Sequence, residues 1–585
     1  MLNWLIVDLS HLFIPHTTGI IPCRGGLAAQ DPARIGCVSA NREGDLSKSF
    51  GYLTYDPTNS SSSVTQVIDE LALLLTASRL SVENREIIRN STQAELSSSG
   101  DRAKAMRLAQ QLIVSSPEFH STNIVRKRAN ATREIPVENA PSDEPYKAVV
   151  YLMFSGGQDS YNLLVPKGKC TAKDMYQEYK DIRGSRALGP DKLLDIDATG
   201  SNQPCDTFAV NSAIPVLQKL YREGDALFLA NTGVLQKLVT KADWQGETRT
   251  RLFSHNSQRG ETVRLDIAQE TGITGVAGRM IDVLKRNGFA TSSATVAVDT
   301  LLVAGDPFKN HPVTELPRNT PSLFNQAPSS ENMQEVILDL NGATNTDSGL
   351  FGEAWASKLS QALAENRHQT LIYKNYLVEA ESEFPSGGLG NDFKSTSQWI
   401  KSREERGVKR EVFYIQHDGY DHHSDPSTNL LENQLTKVND ALAAFVAEMK
   451  SQEIWDNIVI VTGSDFARTL TPNSGDGTDH AWAGNYFMMG GNVNGSRILG
   501  SYPDDLTEEG PVNIGRGRLI PTLPWEAAWK GIAQWMGVAN TCDLDYVLPN
   551  RGNFNECLLF TDRDIFKDGS FAHSSCSENE TARCE

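Results

Sequence analysis

Short, almost continuous apolar runs recur along the chain from residue 147 onwards. Runs of this kind are typical of strands that are buried on both faces of a sheet. Between two of them, apolar residues recur every three or four positions over residues 431–449, which predicts an amphipathic helix. The alternation of strands and helices predicts an α/β domain with a mostly parallel sheet over residues 147–540. The predicted strands cover residues 148–154, 226–230, 412–416, 458–462 and 486–489.

The hydrophobic pattern before residue 147 indicates a separate helical piece. Apolar residues keep a period of about 3.6 over residues 67–80 and again over 101–114, and each stretch predicts a helix. The sequence Ser115-Ser116-Pro117 ends the second helix, because the residue before a proline avoids helical geometry. We therefore divide the chain into an irregular segment 1–60, a helical segment 61–120, a linker 121–146, the α/β domain 147–540 and a C-terminal tail 541–585. A further long helical pattern covers residues 353–383 inside the α/β domain.

Charge and composition narrow the classes of partner. The chain has 585 residues, and its 55 basic residues against 73 acidic residues leave a formal net charge of −18. An acidic protein is a poor match for nucleic acid or for an anionic membrane surface, so we expect neither as the main partner. Hydrophobic residues make up 39% of the chain, which excludes wholesale disorder. No apolar run approaches the roughly 20 residues that span a membrane.

Cysteines and glycosylation sequons favour an extracellular or secretory location. None of the eight cysteines lies in a C-x-x-C motif, and four of them follow residue 540 in a polar tail that is a natural place for disulfides. Five N-x-[ST] sequons, at Asn59, Asn90, Asn130, Asn494 and Asn579, predict a glycoprotein. The N-terminus shows no clean export signal, since Asp8 interrupts its apolar stretch and no basic residues precede it. Either export is absent or Met1 is not the true start.

Clusters of polar residues, rich in Asp and in one case in His, follow three of the predicted strands. They cover residues 155–159, 417–425 and 463–469, and a fourth cluster covers 476–482, so that four of the eleven histidines fall within 417–480. Functional groups gather where the strands of an open α/β sheet end. In the absence of thiolates, Asp and His are ligands of Zn²⁺, or of a mixed site that includes another divalent ion. We therefore predict a divalent metal, with Zn²⁺ first and Mg²⁺, Mn²⁺ or Ca²⁺ as alternatives.

Three side chains are candidates for a catalytic role. Ser254 and His255 are adjacent, and a hydroxyl beside an imidazole is activated as a nucleophile by that base or by a metal. The alternative is that Ser254 only caps a helix start. Arg468 has two equal interpretations, since it either binds an anionic substrate or pairs with Asp465.

These motifs together resemble one family. The chain resembles the largely bacterial sulfatase-like family of uncharacterised function in the alkaline phosphatase superfamily, and the resemblance covers about residues 147–540. The resemblance rests on the order and spacing of six motifs: Phe154-Ser-Gly-Gly-Gln-Asp159-Ser-Tyr-Asn162, Phe253-Ser-His-Asn-Ser-Gln258, Gly419-Tyr-Asp-His-His423, Ser464-Asp-Phe-Ala-Arg-Thr469, Gly477-Thr-Asp-His-Ala-Trp482 and Met489-Gly-Gly491.

The resemblance implies an alkaline-phosphatase-like doubly wound α/β sandwich and twin-arginine export, which is common in the family. It also implies a nucleophile near Ser254 and a set of metal ligands. The chain departs from the family pattern at His422, where threonine is usual, and at Ala467, where glycine is usual. Asp418 and His422 therefore form an alternative ligand pair. The ligands that the resemblance implies are Asp159, Asp421, His423, Asp465 and His480.

The helical segment resembles a second uncharacterised family. Residues 67–80 and 107–119, ending in Ser115-Ser-Pro-Glu-Phe119, resemble the C-terminal end of a helical family whose gene is often a neighbour of the sulfatase-like one in bacteria. This implies a natural fusion that is truncated at Met1.

The function that these observations favour is a metal-dependent hydrolase of phosphate or sulfate esters. Its substrate would be a small anionic ester or a sulfated or phosphorylated glycan, and Ser254, His255 and Arg468 would be its catalytic residues. The alternative is a non-catalytic secreted or wall-associated binding protein that retains the fold.

Overall fold

The structure is a computed structural model, and it describes residues 61–125, 144–248, 251–267, 272–296, 299–307, 313–321, 333–343, 349–379, 383–425 and 429–572. The predicted irregular segment 1–60, most of the linker 121–146 and the last residues of the tail lie outside these ranges, as do three of the five sequons. The chain divides into two compact units. One contains Met1–Val137 and Thr320–Leu371, and the other contains Glu138–Asn319 and Ile372–Glu585.

Helices and strands alternate through most of the described chain. The helices are α1 Val64–Thr76, α2 Val82–Ser99, α3 Arg102–Val114, α4 Met175–Arg183, α5 Pro215–Glu223, α6 Trp244–Glu247, α7 His255–Arg264, α8 Val276–Arg286, α9 Met333–Leu340, α10 Leu350–Asn375, α11 Gly388–Lys401, α12 Leu430–Ser451, α13 Trp525–Met536, α14 Thr541–Val547 and α15 Asp562–Ile565. The strands are β1 Lys147–Ser155, β2 Leu164–Cys170, β3 Leu193–Asp197, β4 Cys205–Asn211, β5 Ala226–Gly233, β6 Thr291–Thr295, β7 Val313–Glu315, β8 Arg410–Asp418, β9 Ile458–Ser464, β10 Gly484–Met489, β11 Arg497–Gly500 and β12 Leu523–Pro524.

The first unit is helical, and its core draws on two separate parts of the chain. Helices α1 to α3 bury an apolar core that also contains Met333, Ile337 and Leu340 of α9. The sequence analysis placed residues 320–371 in the α/β domain, whereas they belong to this helical unit. The apolar face of α9 explains the difference, because it is buried against the same core.

Among the helices of this unit, the hydrophobic pattern did not predict α9, and it also did not predict α2. Its buried positions include polar side chains such as Asn84 and Thr92, so its sequence lacks a clear apolar stripe. Asn84 donates from its amide to Glu118 Oε1 at 2.9 Å and to the carbonyl oxygen of Leu340 at 3.2 Å. Hydrogen bonds of this kind make it tolerable to bury a polar side chain.

We expect the stability of the helical unit to fall in mild acid because of His120. Its ring stacks on Trp355 with 3.3 Å between centroids, and its Nε2 lies 2.8 Å from the carbonyl oxygen of Val114. Burial lowers the pKa of His120 from 6.5 to about 4, although the contact with Val114 acts in the opposite direction. The unfolded chain therefore takes up this proton at a higher pH than the folded chain, so stability is lost as pH falls from 6.5 towards 4.

The test is to measure thermal unfolding at a series of pH values for the wild type and for His120→Phe, which keeps the ring stack. The variant should show a flatter dependence between pH 6.5 and 4. If the pH dependence of thermal unfolding is the same in His120→Phe as in the wild type, His120 is not the cause of the loss of stability in acid.

The second unit is built on a central, mostly parallel sheet. Its strand order is β11-β5-β10-β9-β1-β8-β6-β7, and β12 also pairs with β5. All five predicted strands lie in this sheet, with β1 between β8 and β9 and parallel to both. Strand β10 is antiparallel to its two neighbours. The predicted α/β class with a mostly parallel sheet and preceding helices is therefore confirmed.

The two faces of the sheet carry separate apolar cores. Val150 and Leu152 of β1 lie in one core with residues of α11 and α12, while Tyr151 and Met153 lie in the other with residues of α8 and α13. Successive side chains of a strand point to opposite faces. Burial on both faces explains why these strands show near-continuous apolar runs in the sequence.

A smaller sheet with the order β2-β4-β3 also belongs to this unit. Cys170 of β2 and Cys205 of β4 lie opposite each other and form a disulfide. Cys542 and Cys557 of the tail are also disulfide-bonded, as the polar composition of that segment predicted. The remaining four cysteines lie outside the described residues.

Candidate functional site

The site lies where β1, β8 and β9 end side by side. In register, Ser155 of β1 is opposite Asp418 of β8, and Phe154 is opposite Ser464 of β9. The chain leaves β1 through Gly156, whose φ is +114° and whose backbone N–H donates to Asp465 Oδ2 at 3.1 Å. A Cβ at Gly156 would lie 2.7 Å from the backbone nitrogen of Asp421. This close approach requires glycine.

Asp421 is the centre of the site. Its Oδ1 lies 3.1 Å from His423 Nε2, 3.3 Å from His480 Nε2 and 3.6 Å from His255 Nε2. Arg468 donates to the same oxygen at 2.8 Å. The side chain of Asp421 is 47% exposed and that of Arg468 is wholly buried. One carboxylate oxygen therefore faces three imidazoles and a guanidinium.

Each imidazole is oriented by a contact on its other ring nitrogen. His255 Nδ1 lies 2.7 Å from Asp465 Oδ2, and His480 Nδ1 lies 2.9 Å from the carbonyl oxygen of Phe253. His423 Nδ1 lies 3.1 Å from Asp479 Oδ1. Contacts of this type fix the ring and its tautomer, and they are usual behind histidines that bind metals. All three Nε2 atoms consequently point towards Asp421.

The protonation states of the side chains at the site favour the binding of a cation. Burial acts to raise the pKa of Asp421, but the charge and hydrogen bond of Arg468 and the neighbouring histidines outweigh it and lower the pKa. Burial lowers the pKa of His480, although its contact with Phe253 acts in the opposite direction. Asp421 is therefore ionised and His480 neutral at neutral pH, which are the forms that bind metal ions. Burial raises the pKa of Asp465, and its hydrogen bond with His255 offsets part of this effect.

The donor atoms fit a divalent metal. One ligand atom each of His255, Asp421 and His480 lies within 4.8 Å of the others. The Nε2 atoms of His423 and His480 are only 2.8 Å apart. Two buried atoms at the site, His255 Nε2 and Asp465 Oδ1, have no hydrogen-bond partner within the protein. Imidazole nitrogen and carboxylate oxygen are a suitable ligand set for Zn²⁺, so these unsatisfied atoms are consistent with a bound cation.

Most of the predicted site residues come together, and Asp159 does not join them. His423 and Asp465 contact the group of His255, Asp421 and His480 directly. The carboxylate of Asp159 instead forms a buried ion pair with Arg183.

Arg468 pairs with Asp421 rather than with Asp465, which was its predicted partner. A bond to Asp421 Oδ1 places its guanidinium beside the three imidazoles. Of its two predicted roles, binding of an anion stays a prediction.

Ser254 lies next to the site at the start of α7. It is the residue before the first turn of that helix, yet its side chain forms no capping hydrogen bond. The interpretation of Ser254 as a helix cap through its side chain is therefore wrong. Its role as a nucleophile stays a prediction.

The alternative ligand pair lies apart from the centre. The Asp418 carboxylate accepts a hydrogen bond from Gln416 Nε2 at 2.6 Å, and His422 Nε2 lies 2.7 Å from the carbonyl oxygen of Gly419. Neither residue contacts Asp421 through its side chain in the described part of the chain. These two residues therefore make matched controls for Asp421 and His423.

Two residues that support the site were not among the predicted ligands or catalytic residues, although Asp479 lies in the predicted cluster 476–482. Asp479 orients His423, and Arg516 forms an ion pair with Asp479. The position of Asp479 directly before His480 was a signal for the first. Arg516 lies 36 positions after His480 in the sequence, and nothing local in the sequence indicates its place.

A family model described as "Protein of unknown function (DUF1501)" matches residues 323–515. The matched part includes β8, β9 and the clusters 417–425, 463–469 and 476–482. The motifs around Asp159 and His255 lie outside it. No curated protein matches the chain.

Several solved structures are similar to the chain. The C-terminal periplasmic domain of EcEptC from Escherichia coli, in complex with Zn, is 8% identical with a TM-score of 0.27, over 61% of this chain and 77% of that one. The lipoteichoic acid synthase LtaP from Listeria monocytogenes is 10% identical with a TM-score of 0.25, over 68% and 78%. The PsFucS1 sulfatase from Pseudoalteromonas sp. is 9% identical with a TM-score of 0.27, over 72% and 68%. Over residues 323–515, the chain is thus similar to a family of unknown function.

Proposed function

We propose that the protein is a metal-dependent hydrolase of phosphate or sulfate esters. The observation that carries the proposal is the group of three imidazoles around Asp421, with two buried donor atoms that have no partner within the protein. Buried polar atoms are normally satisfied, so unsatisfied atoms beside such a group indicate a ligand.

The metal would be held by His255, Asp421 and His480, with His423 and Asp465 next to them. Zn²⁺ is the first choice for these donors. When bound, a divalent metal supplies polarisation of the ester's phosphoryl or sulfuryl oxygen. The residues behind the ligands keep the imidazoles oriented, since Asp465 fixes His255 and Asp479 fixes His423.

The remaining residues have distinct roles in this proposal. Arg468 acts as a positioning residue, because its buried guanidinium holds Asp421 ionised and in place. The attacking oxygen is that of Ser254 or of a water molecule. It forms a bond to phosphorus or sulfur while the bond to the alcohol oxygen breaks, and the proton that the attacking hydroxyl or water loses passes to the departing alcohol. If Ser254 attacks, a water molecule then cleaves the seryl ester, which releases the phosphate or sulfate and restores the hydroxyl. His255, which the sequence predicted to be a catalytic residue, would here be a ligand of the metal.

An extracellular or secretory location forms part of the proposal. Each of the four cysteines in the described part of the chain is disulfide-bonded, and disulfides persist in oxidising compartments. Asn90, in one of the sequons, is exposed on α2. Among the described helices, none is long and apolar enough to cross a membrane.

The test combines elemental analysis with a substrate panel. Purified protein should contain stoichiometric divalent metal. It should also hydrolyse at least one member of a panel of aryl sulfates, phosphomonoesters and phosphodiesters. A chelator should abolish this activity, and adding back Zn²⁺ should restore it.

Two results would contradict the proposal. One is a folded protein without metal that hydrolyses nothing in the panel, also after incubation with Zn²⁺. The other is hydrolysis that persists in full after the metal has been removed. Metal-free protein that binds a polysaccharide specifically would favour the non-catalytic alternative.

A further inference from the structure

Two arginines lie at the site but belong to neither the ligand group nor the contacts that orient it. Arg516 and Arg518 lie in a tight hairpin whose sides pair at Asn513 and Leu519. The backbone N–H of Ile514 donates to the carbonyl oxygen of Arg518 at 2.9 Å. This hairpin fixes both arginines on one short, well-anchored turn.

The turn holds Arg516 in a rare backbone conformation. Three successive residues have positive φ, with +98° at Gly515, +58° at Arg516 and +69° at Gly517. This conformation is unfavourable for a residue with a side chain. Hydrogen bonds hold it in place, since the backbone N–H of Arg516 donates to Glu508 Oε1 at 2.9 Å. Strain of this kind is found where a side chain must be presented to a ligand.

The two guanidiniums reach residues that orient the imidazoles. Arg516 pairs with Asp479 Oδ2, while the other carboxylate oxygen of Asp479 contacts His423. Arg518 Nε donates to the carbonyl oxygen of His480 at 3.0 Å, and its guanidinium lies 4.6 Å from the ring centre of Phe253. Arg518 therefore contacts a residue of the ligand group directly, and Arg516 lies one residue further out, behind Asp479.

The two guanidiniums are close enough for the charge of one to act on the other. Burial lowers the pKa of Arg518, and the charge of Arg516 lowers it further against the opposing effect of Asp479. In the described ranges, Asp479 is the carboxylate that forms an ion pair with either guanidinium. The Arg516 side chain is 57% exposed, and a guanidinium has five N–H donors, so it can bind a further oxyanion while it is paired with Asp479. Two like charges held together next to a reaction centre are stabilised when an anion binds between them.

We propose that Arg516 and Arg518 form a subsite for a second anionic group of the substrate, beside the ester that reacts. The preferred substrate then carries at least two sulfate or phosphate groups, as a multiply sulfated or phosphorylated sugar does. A planar guanidinium donates two parallel hydrogen bonds to either oxyanion, so both chemistries fit. This inference rests on the proposed function, because it names the substrate class of the same site.

The experiment compares esters with one and two anionic groups on the same scaffold. The metal-loaded wild type, Arg516→Gln and Arg516→Lys are assayed with a hexose monosulfate and disulfate, and with a hexose monophosphate and bisphosphate. Arg222→Gln is the matched control, because Arg222 is an exposed arginine on α5 that bonds to the carbonyl oxygen of Asp195. The sulfate and phosphate pairs show which oxyanion the subsite prefers.

The wild type and Arg222→Gln should prefer the doubly charged ester by about tenfold or more in kcat/KM, as expected for charge-assisted hydrogen bonds. In Arg516→Gln this ratio should fall towards one, mainly through KM. Arg516→Lys should keep part of the preference, since it retains the charge but not the planar fork. Thermal unfolding checks that the variants are folded.

A wild type with no preference, or a ratio that survives in Arg516→Gln, would overturn the subsite. If the wild type hydrolyses none of the four esters, calorimetric binding of the hexose disulfate decides the subsite, and the substrate panel with elemental analysis decides the proposed function separately. Binding that is lost in Arg516→Gln supports it, and absence of binding overturns it.

Discussion

Asp421→Asn should lose its bound metal and at least about 99% of its ester hydrolysis. Replacing residues behind a metal ligand typically costs 10–100-fold in affinity or activity, so loss of the central carboxylate should cost at least the upper figure. Oδ1 of Asp421 is the atom that all three imidazoles face. Asparagine keeps an oxygen for the bond from Arg468, so the fold should survive. Metal content is measured by elemental analysis and activity with the best substrate of the panel.

Asp418→Asn is the matched control. Asp418 is an exposed carboxylate three residues earlier, and it bonds to Gln416 instead of to the imidazoles. We expect metal content and activity close to those of the wild type. If Asp421→Asn retains its metal while Asp418→Asn loses it, the ligand assignment must be exchanged for the pair Asp418 and His422.

Asp159→Ala should be the most destabilising of the substitutions considered, by about 3–5 kcal/mol in the free energy of unfolding. The ion pair of Asp159 and Arg183 is almost wholly buried, with the Arg183 side chain 0% exposed. Removing the carboxylate leaves a buried cation whose other bonds go only to the carbonyl oxygens of Thr469 and Leu470. Denaturant unfolding followed by circular dichroism measures the loss.

A double variant distinguishes the free-energy cost of an unpaired buried charge from the cost of lost packing. Asp159→Leu combined with Arg183→Met removes both charges, and it should recover much of the stability that Asp159→Ala loses. The metal content of Asp159→Asn then tests the role that the family resemblance implied. If Asp159→Asn is folded but free of metal, Asp159 is a ligand after all and Arg183 only supports it.

The strands of the central sheet could be predicted because they are buried on both faces, which leaves an unambiguous apolar run. The structure extends each of them by two to four residues, as for β8, which the pattern placed at 412–416 and the structure at Arg410–Asp418. Helix α2 could not be predicted, because its buried face contains Asn84, Thr92 and Glu95. Their partners come from elsewhere in the chain, and a local pattern contains no information about them.

The residues of the site that directly follow the ends of strands could be predicted from the sequence. The clusters after β1, β8 and β9 meet because these strands are neighbours in the sheet. Arg183, at the end of α4, forms an ion pair with the carboxylate of Asp159, so that Asp159 does not join the imidazoles around Asp421. The sequence could not show this. It also could not show that His255 joins the group, because this depends on how α7 lies against the end of β9.

The divided helical unit has a consequence for the order of events during synthesis. Helices α1 to α3 leave the ribosome about 220 residues before α9, whose apolar residues complete their core. At about 5–20 residues per second, the delay is roughly 10–40 s. During this time the apolar faces of the first helices lack their final cover. A nascent chain that stalls between residues 125 and 333 should therefore be a preferred substrate for chaperones.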